Sequence, residues 1–555
     1  MKTLIIGGVA GGASAAARLR RLKEDETIII AERGEYVSFA NCGLPYYIGG
    51  VITDRERLTL QTPQSFKERF NVEVRVRTEA VQILPEAKMA VLKDLATGDI
   101  YNESYDNLIL SPGARPVKPN IEGVEADGVF TLRNIPDTLK IKEFINQRKP
   151  RDGVVVGGGY IGLEMAENLK HAGMNVTVVE LSEHLIPSFD YDMAAGIHRY
   201  IKAQGINLCL NNGLKAIKEG RVILQNGELK ADMVILSAGV RPDTQFLRGA
   251  VPLNERGGII TDSHMRTDIP NIYAVGDAAE IRNFVSGRPA LIPLAGPANR
   301  QGRIAADNIA GIPSEYKGSQ GSAVLKLFDM TAAATGLNER EAAQSGLDYD
   351  KTYIYSAPHA SYYPGDRNMS IKALWDKKTY KLLGAQLVGF DGVDKRADVL
   401  AAAIRLGAKI TDLAGLELCY APPFGSAKDP VNMLGFIAEN VITQRVKQFF
   451  WHDVEKLPRD GSVILLDVRT PLEASRGMIK GFKNIPLDSL RERINELPKG
   501  KRVYVHCHSG LRSYIACRIL AGHGYDCYNL AGGWQLYESA VNERTAPEYI
   551  CTQCR

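Results

Sequence analysis

Two stretches of the chain repeat one pattern of apolar and polar positions. Each begins with a short β-branched run, at residues 3–6 and 154–156, and continues through a glycine-rich loop into a segment of helical length. A second β-branched run follows each helix, at residues 27–30 and 176–179. Alternating strands and helices predict parallel sheets that are covered on both faces.

The pattern changes after about residue 320. Residues 374–378 and 382–388 predict antiparallel strands and residues 395–406 predict a helix, an α+β arrangement without a glycine loop. A helix-like stretch over residues 431–448 leads to a third α/β pattern. The two strands and the helix of that pattern are predicted at residues 463–466, 503–506 and 513–521.

Composition excludes several classes of protein. The 555 residues are 45% apolar and 24% charged, as in ordinary globular domains, so disorder and coiled coil are not expected for most of the chain. A formal net charge of +4 leaves no basic surface that would imply a nucleic-acid partner. No apolar run approaches the ~20 residues of a membrane span, and no membrane partner is expected.

The cysteines are too sparse for a secreted disulfide framework. They lie at positions 42, 209, 419, 507, 517, 527, 551 and 554. The apolar stretch at the N-terminus is interrupted at Gly7 and is soon followed by arginines, so it lacks the unbroken apolar core of a signal peptide. We therefore expect a cytoplasmic protein with reduced thiols.

The second glycine loop has the spacing of a dinucleotide-binding loop. Gly157, Gly159 and Gly162 follow a strand and open a helix, and Glu180 stands at the end of the next strand. Such a loop lets the backbone and the helix N-terminus approach a pyrophosphate, while the acid accepts a hydrogen bond from a ribose hydroxyl. The residues that follow Glu180, 181–183, include no Arg or Lys, so NADH is favoured over NADPH.

The first glycine loop departs from this spacing at one position. Gly7, Gly11 and Gly12 are present and Glu32 ends the following strand, but Val9 occupies the middle glycine position. A glycine-rich turn without a ligand is the alternative for one loop alone. Two such loops in one chain, each with its acid, favour two bound dinucleotides.

Cys42 is the first candidate for redox chemistry. It lies ten residues beyond Glu32. An extended segment of ten residues reaches about 33 Å, which is enough to run from the adenine ribose of a flavin dinucleotide to its flavin ring. No second cysteine occurs before Cys209, so a redox cycle at Cys42 needs an external sulfur or a sulfenic acid as the oxidised partner. A small buried apolar side chain is the alternative role.

Cys507 is the second candidate, because its loop follows a predicted strand and opens a predicted helix. Backbone N–H groups, Arg512 and the helix N-terminus favour a negative sulfur there. The loop resembles those of rhodaneses and of protein tyrosine phosphatases, and the four residues between Cys507 and Arg512 match the rhodaneses. Residues 467–469, 485–486 and 532–534 resemble other rhodanese elements, whereas Met478 stands where a histidine is common.

Residues 271–277 and 110–114 resemble the second flavin motif and the hinge motif of the two-dinucleotide-domain flavoprotein disulfide reductases. By that resemblance the first glycine loop holds FAD, Asp277 binds its ribityl chain, and the second loop holds the nicotinamide cofactor. Peroxide- and oxygen-reducing relatives carry a histidine in the first loop, but the matching residue here is Ala10, which argues against a peroxidase.

Residues 38–46, 361–365 and 420–423 resemble the coenzyme A disulfide reductases, and the resemblance covers roughly residues 1–440. It implies that Cys42 forms a mixed disulfide with coenzyme A and that Tyr362 and Tyr420 of a partner subunit assist the leaving thiolate, in a homodimer. The contacts to coenzyme A that it implies are Arg18, Arg21, Ser38 and Asn41. Capping of the helix C-terminus is the alternative role of the arginines.

The fold class is therefore expected to be α/β, with two Rossmann-like domains, an α+β dimerisation domain and an α/β rhodanese domain. The expected boundaries are 1–114 and 243–320 for the FAD domain, 115–242 for the NAD(H) domain, 321–440 for the dimerisation domain, 441–455 for a linker and 456–555 for the rhodanese domain. The cofactor-binding residues implied are Gly7, Ala10, Gly11, Gly12, Glu32, Arg33, Ser111, Gly113, Asp277, Ala295, Gly157, Gly159, Tyr160, Ile161, Gly162, Glu180 and Gly239.

The whole chain resembles the coenzyme A disulfide reductase–rhodanese fusions. The resemblance implies NADH-driven reduction, through FAD and Cys42, of coenzyme A disulfide, coenzyme A persulfide or polysulfide, with Cys507 handling sulfane sulfur and thiol and hydrogen sulfide as products. The alternatives are a sulfur carrier with a redox-sensing flavin domain and an NADH oxidase. The tail pair Cys551 and Cys554 supplies too few ligands for a structural zinc site, so no metal is expected. The pair either forms a resolving disulfide or has no role.

Overall fold

The computed structural model of the chain describes residues 1–545, which divide into two units. The first unit contains residues 1–182 and 205–321, and the second contains residues 183–204 and 322–545. Within residues 1–545, no helix has both the length and the apolar character that crossing a membrane requires. Cys551 and Cys554 lie outside the described residues.

The elements up to residue 182 are β1 (Lys2–Ile6), α1 (Ala10–Leu22), β2 (Thr27–Ala31), α2 (Leu44–Ile48), α3 (Pro63–Phe70), β3 (Glu73–Arg75), β4 (Thr78–Leu84), β5 (Met89–Asp94), β6 (Ile100–Ser104), β7 (Asn107–Leu110), β8 (Ala114–Pro116), β9 (Val129–Phe130), α4 (Ile135–Arg148), β10 (Asp152–Val156), α5 (Tyr160–His171) and β11 (Asn175–Val179). Helix α6 (Tyr191–Ala203) belongs to the second unit. The first unit continues with β12 (Ile206–Cys209), β13 (Leu214–Lys218), β14 (Arg221–Leu224), β15 (Glu228–Lys230), β16 (Met233–Leu236), β17 (Val240–Pro242), β18 (Ile259–Ile260), β19 (Ile272–Ala274), β20 (Ala279–Arg282), β21 (Pro289–Ala290) and α7 (Ala295–Ile309).

The remaining elements, all in the second unit, are β22 (Ala323–Leu327), β23 (Met330–Gly336), α8 (Glu339–Gln344), β24 (Tyr349–Ser356), β25 (Met369–Asp376), β26 (Leu382–Gly389), α9 (Val393–Leu406), α10 (Pro430–Ile442), β27 (Lys447–Phe449), β28 (Ile464–Asp467), α11 (Pro471–Ser475), β29 (Lys483–Asn484), α12 (Leu490–Arg493), β30 (Val503–His506), α13 (Leu511–Gly522), β31 (Cys527–Leu530) and α14 (Gly533–Thr545).

Two parallel five-stranded sheets organise the first unit, with the orders β19-β7-β1-β2-β3 and β12-β11-β10-β16-β9. Their central strands are fully buried at Leu4, Ile5, Val155 and Val178. Burial on both faces explains why these strands are near-continuous apolar runs. The four strands predicted around the glycine loops are confirmed, each one or two residues longer than predicted.

The second unit contains an antiparallel five-stranded sheet in the order β22-β23-β26-β25-β24. The antiparallel pairing predicted here is confirmed, although β25 starts at Met369, five residues before the prediction. The predicted helix over residues 395–406 is confirmed as α9.

The predicted helix over residues 431–448 is wrong at its end. Helix α10 stops at Ile442, and Gln444 takes a left-handed backbone conformation with φ of 59°. Residues 447–449 then form β27, which pairs in parallel with β31. Phe449 becomes buried in that sheet, so a tertiary partner overrides the local helical pattern.

The last sheet is parallel, in the order β27-β31-β30-β28-β29. The strand predicted over residues 503–506 is confirmed as β30, and α13 contains the predicted helix. The loop between them carries Cys507 at the carboxyl end of the strand. This is the edge of a parallel sheet where ligands usually bind.

A buried ammonium group connects three parts of the second unit. Lys372 Nζ on β25 lies 2.8 Å from Asp190 and 2.9 Å from Asp192, just before and on α6. The indole N–H of Trp451 donates to Asp192 over 3.2 Å. Burial alone would lower the pKa of Lys372, but the charges of Asp192 and its neighbours raise that pKa well above the usual value.

Candidate active site

The first glycine loop needs glycine at its two ends. Gly7 has a φ of +94°, and a Cβ there would lie 2.1 Å from the carbonyl oxygen of Ser111. A Cβ on Gly12 would lie 1.9 Å from the carbonyl oxygen of Gly7. Helix α1 begins directly after Val9 without a side-chain cap and without an acidic residue in its first turn. Its N–H groups are thus left for an anion such as a pyrophosphate.

The second glycine loop has the same construction. Gly157 has a φ of +108° and approaches Ser237, and a Cβ on Gly162 would lie 1.9 Å from the carbonyl oxygen of Gly157. No atom lies within 4 Å of a Cβ built on Gly159, which caps α5 without a side chain. The open space beside uncapped N–H groups fits a second pyrophosphate.

The two acids that follow the loops are held in matching ways. Glu32 accepts from the backbone N–H of Gly8 over 2.8 Å and from that of Gly34 over 2.7 Å. Glu180 accepts from Gly158 over 2.7 Å and from Ser182 over 2.8 Å. Each carboxylate is therefore fixed beside its own loop, at the end of β2 or β11, where a ribose hydroxyl would meet it.

The other predicted flavin contacts surround the carboxyl end of the first sheet. Ser111 and Gly113 follow β7, Ala295 opens α7, and Asp277 follows β19. Asp277 Oδ2 lies 3.2 Å from Nη2 of Arg133, a residue that the sequence patterns did not indicate.

Two further predicted contacts lie at other positions of the first unit. Arg33 forms a 2.8 Å ion pair with Asp243, and Gly239 takes a left-handed conformation with φ of +102°. Tyr160 and Ile161 form the first turn of α5, where Ile161 is exposed. Their contact with the nicotinamide cofactor stays a prediction.

Cys42 lies in a short 3-10 helix, Asn41–Gly43, directly before α2. Its side chain reaches solvent, but neighbouring protein atoms partly desolvate it and raise the pKa of the thiol. The negative charges of Glu164 and Asp277 raise that pKa further, and the positive charge of Arg133 opposes them. The thiolate therefore depends on the balance of charges around it.

Glu164 links the helix of the second loop to the helix that follows Cys42. It lies on α5, and it accepts a hydrogen bond from Tyr46 on α2 over 3.2 Å. Burial, together with the charge of Glu167, raises the pKa of Glu164 to about 7. A carboxyl group in this position can hold or release a proton near neutral pH, within electrostatic reach of Cys42.

The four predicted coenzyme A contacts have different surroundings. Among residues 1–545, nothing hydrogen bonds to the buried side-chain oxygen of Asn41, as expected for a ligand-binding group. The nearby Ser38 takes a left-handed conformation, with φ of 46°. Arg18 is engaged with Asp307 over 2.6 Å, whereas Arg21 is exposed.

The neighbouring Arg20 has a structural role. It is buried and donates to several backbone carbonyl oxygens, including those of Phe70, Glu26 and Asn71. These bonds tie the end of α1 to the chain that follows α3, so only part of the basic cluster at the end of α1 is available to a phosphate.

Tyr362 and Tyr420 are brought together in the second unit. Their hydroxyl oxygens lie 3.1 Å apart, and the side chains are 74% and 50% exposed. Tyr420 also lines a cavity of about 780 Å³, together with Cys419, Lys395 and Phe424. Two exposed phenols in mutual contact are available to a group from another chain.

The Cys507 loop holds its sulfur with neutral donors. The thiol is buried, and its Sγ accepts from the backbone N–H of Gly510 over 3.1 Å and from the hydroxyl of Ser513 over 3.2 Å. The carbonyl oxygen of Cys507 in turn accepts from the N–H of Trp534 over 2.8 Å. The loop is therefore shaped to place a sulfur at the N-terminus of α13.

Arg512, the loop arginine, is paired with a residue that the sequence patterns did not indicate. Its two terminal nitrogens lie 2.7 and 2.6 Å from the two carboxylate oxygens of Glu473 on α11. This pairing lowers the pKa of Glu473 to about 2. The second guanidinium at the loop, that of Arg469, is buried against Asp467 over 2.8 Å.

Comparison with known proteins places the chain in a family. Residues 1–302, more than half of the chain, match the family described as pyridine nucleotide-disulphide oxidoreductase. The chain belongs to this family. Residues 322–430 match its dimerisation domain, and residues 451–540 match the rhodanese-like domain.

Three relatives share most of their length with this pyridine nucleotide-disulphide oxidoreductase. A coenzyme A disulfide reductase of Staphylococcus epidermidis is 37% identical over 441 residues, which is 79% of this chain and 100% of that protein. The crystal structure of reduced Bacillus anthracis CoADR-RHD is 48% identical, with a TM-score of 0.96 over 98% of each chain. A NAD-dependent persulfide reductase from A. fulgidus is 36% identical, with a TM-score of 0.90 over 97% of this chain and 100% of that chain.

The pyridine nucleotide-disulphide oxidoreductase fold thus confirms the predicted α/β class and the rhodanese domain at the end of the chain. The functional candidates that sequence patterns missed are Arg133, Tyr46, Glu164, Ser513 and Glu473. The sequence offered signals for three of them: Tyr46 ends the motif of residues 38–46, Ser513 follows Arg512 in the Cys507 loop, and Glu164 is a carboxylate among the apolar residues of a glycine-loop helix.

Proposed function

We propose that this enzyme uses NADH to reduce coenzyme A disulfide or a coenzyme A persulfide at Cys42, and that Cys507 handles sulfane sulfur. One observation carries the proposal: two dinucleotide loops share the chain with Cys42, whose unit contains no other thiol than the buried Cys209 among the described residues. Without a neighbouring thiol, the oxidised partner of Cys42 is either an external sulfur or its own sulfenic acid, and we propose the external sulfur of a substrate. The substrates named for the relatives agree with this chemistry.

The cofactors are FAD and NAD(H). The loop before α1 and Asp277 fit FAD, and the loop before α5 fits NADH, because Glu180 would repel a 2′-phosphate. FAD supplies a carrier that takes a hydride from NADH and delivers two electrons to a sulfur. The chain contributes uncapped helix N-termini for both pyrophosphates and a graded set of charges around the thiol.

Cys42 performs the exchange at sulfur. Its thiolate attacks one sulfur of coenzyme A disulfide, a mixed disulfide forms, and one coenzyme A thiolate leaves. Two electrons then cleave the mixed disulfide, which restores the Cys42 thiolate and releases the second coenzyme A, with protons taken up by the leaving thiolates. Glu164, with a pKa of about 7, is able to hold one of these protons, and Arg133 offsets negative charge near the sulfur.

The tyrosine pair completes the site from a second subunit. Tyr362 and Tyr420 are exposed, hydrogen bonded to each other, and part of the segment that matches a dimerisation domain. We therefore propose a homodimer in which their hydroxyl groups donate to the departing coenzyme A thiolate. The cytoplasmic location expected from the sequence stays a prediction.

The experiment combines turnover with intact mass under denaturing, non-reducing conditions. The purified holoenzyme should carry a coenzyme A adduct after treatment with coenzyme A disulfide, and Cys42→Ser should abolish the adduct and reduce kcat by about 10³-fold or more. Cys209→Ser, the same substitution at the buried thiol of the same unit, should keep both. Full turnover by Cys42→Ser, or NADH consumption that requires only oxygen, would contradict the proposal.

A further inference from the structure

The arginine of the Cys507 loop is paired with a carboxylate that sulfur transfer at Cys507 does not itself require. Glu473 lies on the short helix α11, and both of its oxygens bind the guanidinium of Arg512. The two side chains keep 30% and 32% of their surface exposed, so the pair reaches solvent and is not buried in the domain. Thr470 fixes the carboxylate from its other side, by a reciprocal cap with Glu473.

The charges that face the loop cancel. Arg512 is neutralised by Glu473, and Arg469 is neutralised by Asp467 in a pair with almost no exposed surface. Burial lowers the pKa of His508, the residue after Cys507, and so favours its neutral imidazole. Glu538 adds a further negative charge near His508.

The groups that contact the sulfur of Cys507 are uncharged hydrogen-bond donors. The N–H of Gly510 and the hydroxyl of Ser513 both point to the sulfur of Cys507. Such donors at a helix N-terminus stabilise one negative charge on a persulfide sulfur. A dianionic donor also needs a positive charge at the loop that is not already paired, because Glu473 would otherwise repel its second negative charge.

We propose that Glu473 makes the Cys507 loop selective for sulfane-sulfur donors that bring at most one negative charge to the loop, and that it excludes dianionic donors such as thiosulfate. The inference rests on the proposed sulfane-sulfur role of Cys507. A persulfide of a large thiol fits this rule, because any phosphate groups of the thiol lie far from the transferred sulfur.

Both donors load the same atom, so a change in their ratio between variants that differ only in the charge of residue 473 reports the effect of that charge. With a persulfide, the Cys507 thiolate attacks the terminal sulfur, a Cys507 persulfide forms, and the donor leaves as a thiolate. With thiosulfate, the thiolate attacks the outer sulfur, the S–S bond breaks, and sulfite carries the electron pair away. Neither transfer needs an added oxidant or reductant.

The test measures loading of Cys507 in the full-length holoenzyme, as the gain in mass of one sulfur atom on the Cys507 peptide. Thiosulfate and freshly prepared glutathione persulfide are compared in separate reactions. Glu473→Gln removes the charge but keeps an amide at the third position of α11, where glutamine still supports the cap. In this variant, the ratio of the second-order rate constant for loading by thiosulfate to that for loading by the persulfide should rise about 10- to 100-fold.

Two variants control for structure. Glu473→Asp keeps the charge while altering the bidentate geometry, and it should keep the discrimination against thiosulfate. Glu496→Gln removes a carboxylate of similarly low pKa, about 2, from an exposed pair with Arg493 in the same domain, and the ratio should not change. Rising ionic strength should weaken the discrimination of the wild-type enzyme, because the Glu473 side chain is partly exposed.

The outcomes separate this inference from the proposed function. A ratio that stays the same in Glu473→Gln, or that rises equally in Glu473→Asp, overturns the selectivity role while Cys507 is still loaded. If neither donor loads wild-type Cys507, the sulfane-sulfur role fails and the inference fails with it. A Glu473→Gln protein that melts with the wild-type Tm establishes that the change is not one of folding.

Discussion

Cys42 and Cys507 lie in opposite electrostatic settings. The pKa of Cys42 is raised by burial and by the acids Glu164 and Asp277, so its thiolate needs compensation from Arg133 and from groups that bind with the substrate. Cys507 receives two neutral hydrogen-bond donors at the start of α13. Ionisation of the first cysteine is thus disfavoured by its surroundings, whereas the second has two hydrogen-bond donors directed at its sulfur.

Replacing Glu164 tests the first of these settings. Because Glu164 has a pKa of about 7, it becomes negative as the pH rises through neutrality and then disfavours the Cys42 thiolate. Glu164→Gln removes this effect, so the pKa of the Cys42 thiol should fall. The pH dependence of iodoacetamide alkylation at Cys42 measures the shift.

Glu143→Gln is the matched control for this variant. Glu143 is a carboxylate on α4 of the same unit, is hydrogen bonded to Gln147 over 2.9 Å, and does not act on the thiol. Its replacement should leave the alkylation profile in place. A profile that moves to higher pH in Glu164→Gln would show that the carboxyl group acts by a route other than charge.

At the scale of elements, the two strand–loop–helix units differ in sequence but share their close contacts. In each, a Cβ on the last glycine would meet the carbonyl oxygen of the first glycine at 1.9 Å. The first helix is further constrained by α7, since a Cβ on Gly302 would lie 2.3 Å from the carbonyl oxygen of Gly11. Val9 is tolerated because it lies at the start of α1, and the helix N-terminus is still uncapped.

Single alanine substitutions should distinguish the two loops. Gly12→Ala places a Cβ against the carbonyl oxygen of Gly7 and distorts the first loop, so the purified protein should lose its flavin absorbance. Gly162→Ala pushes apart the second loop, so the protein should keep flavin while KM for NADH rises by about 10-fold or more. Flavin content and initial rates measure both effects.

Gly196→Ala is the control for these substitutions. Gly196 lies inside α6 with no atom within 4 Å of an added Cβ, so alanine should stabilise the protein by up to ~1 kcal/mol and leave both cofactors in place. Loss of flavin from Gly162→Ala with retention in Gly12→Ala would reverse the assignment of the loops.

At the scale of the molecule, the rhodanese segment is attached at both of its ends within the second unit. Trp451 at its start donates to Asp192 of α6, and the hydroxyl of Tyr191 donates to the carbonyl oxygen of Ala540 near its end. The guanidinium of Arg544 lies 4.6 Å above the Trp451 ring. These contacts tie the start and the end of the rhodanese segment to α6 and to each other.

Lys372 should be the most sensitive position of this attachment. Lys372→Met removes the cation from the buried Asp192 and from its neighbour Asp190, while Glu339 keeps Lys351, so the free energy of unfolding should fall by about 3–5 kcal/mol. Chemical denaturation of the holoenzyme measures the change. Lys377→Met, which breaks an exposed pair with Asp348, should cost only about 0–1 kcal/mol, and equal losses in the two variants would contradict the role of the buried network.

Local sequence patterns were sufficient to predict the parts of the site that are formed by residues close together in the chain. The glycine loops, their acids and the Cys507 loop each lie within one strand–loop–helix segment, so spacing along the chain already places their atoms close together. The helix predicted over residues 431–448 failed for the opposite reason. The left-handed residue that follows the helix is Gln444 and not a glycine, so the sequence gives no sign of a helix end there. Strand β27 forms because it pairs with β31, which is distant along the chain.

The sequence by itself determined the fold class, the two dinucleotide loops and the two reactive cysteines, because each follows from a short periodic pattern and a local backbone requirement. Only the tertiary structure decided what charges act on those cysteines. Glu473 and Arg512 are 39 residues apart, Tyr46 and Glu164 are 118 apart, and Lys372 and Asp192 are 180 apart. Such pairs depend on how the elements pack. The interaction energy of two charges depends on the distance between them in space, and their spacing along the chain does not give that distance.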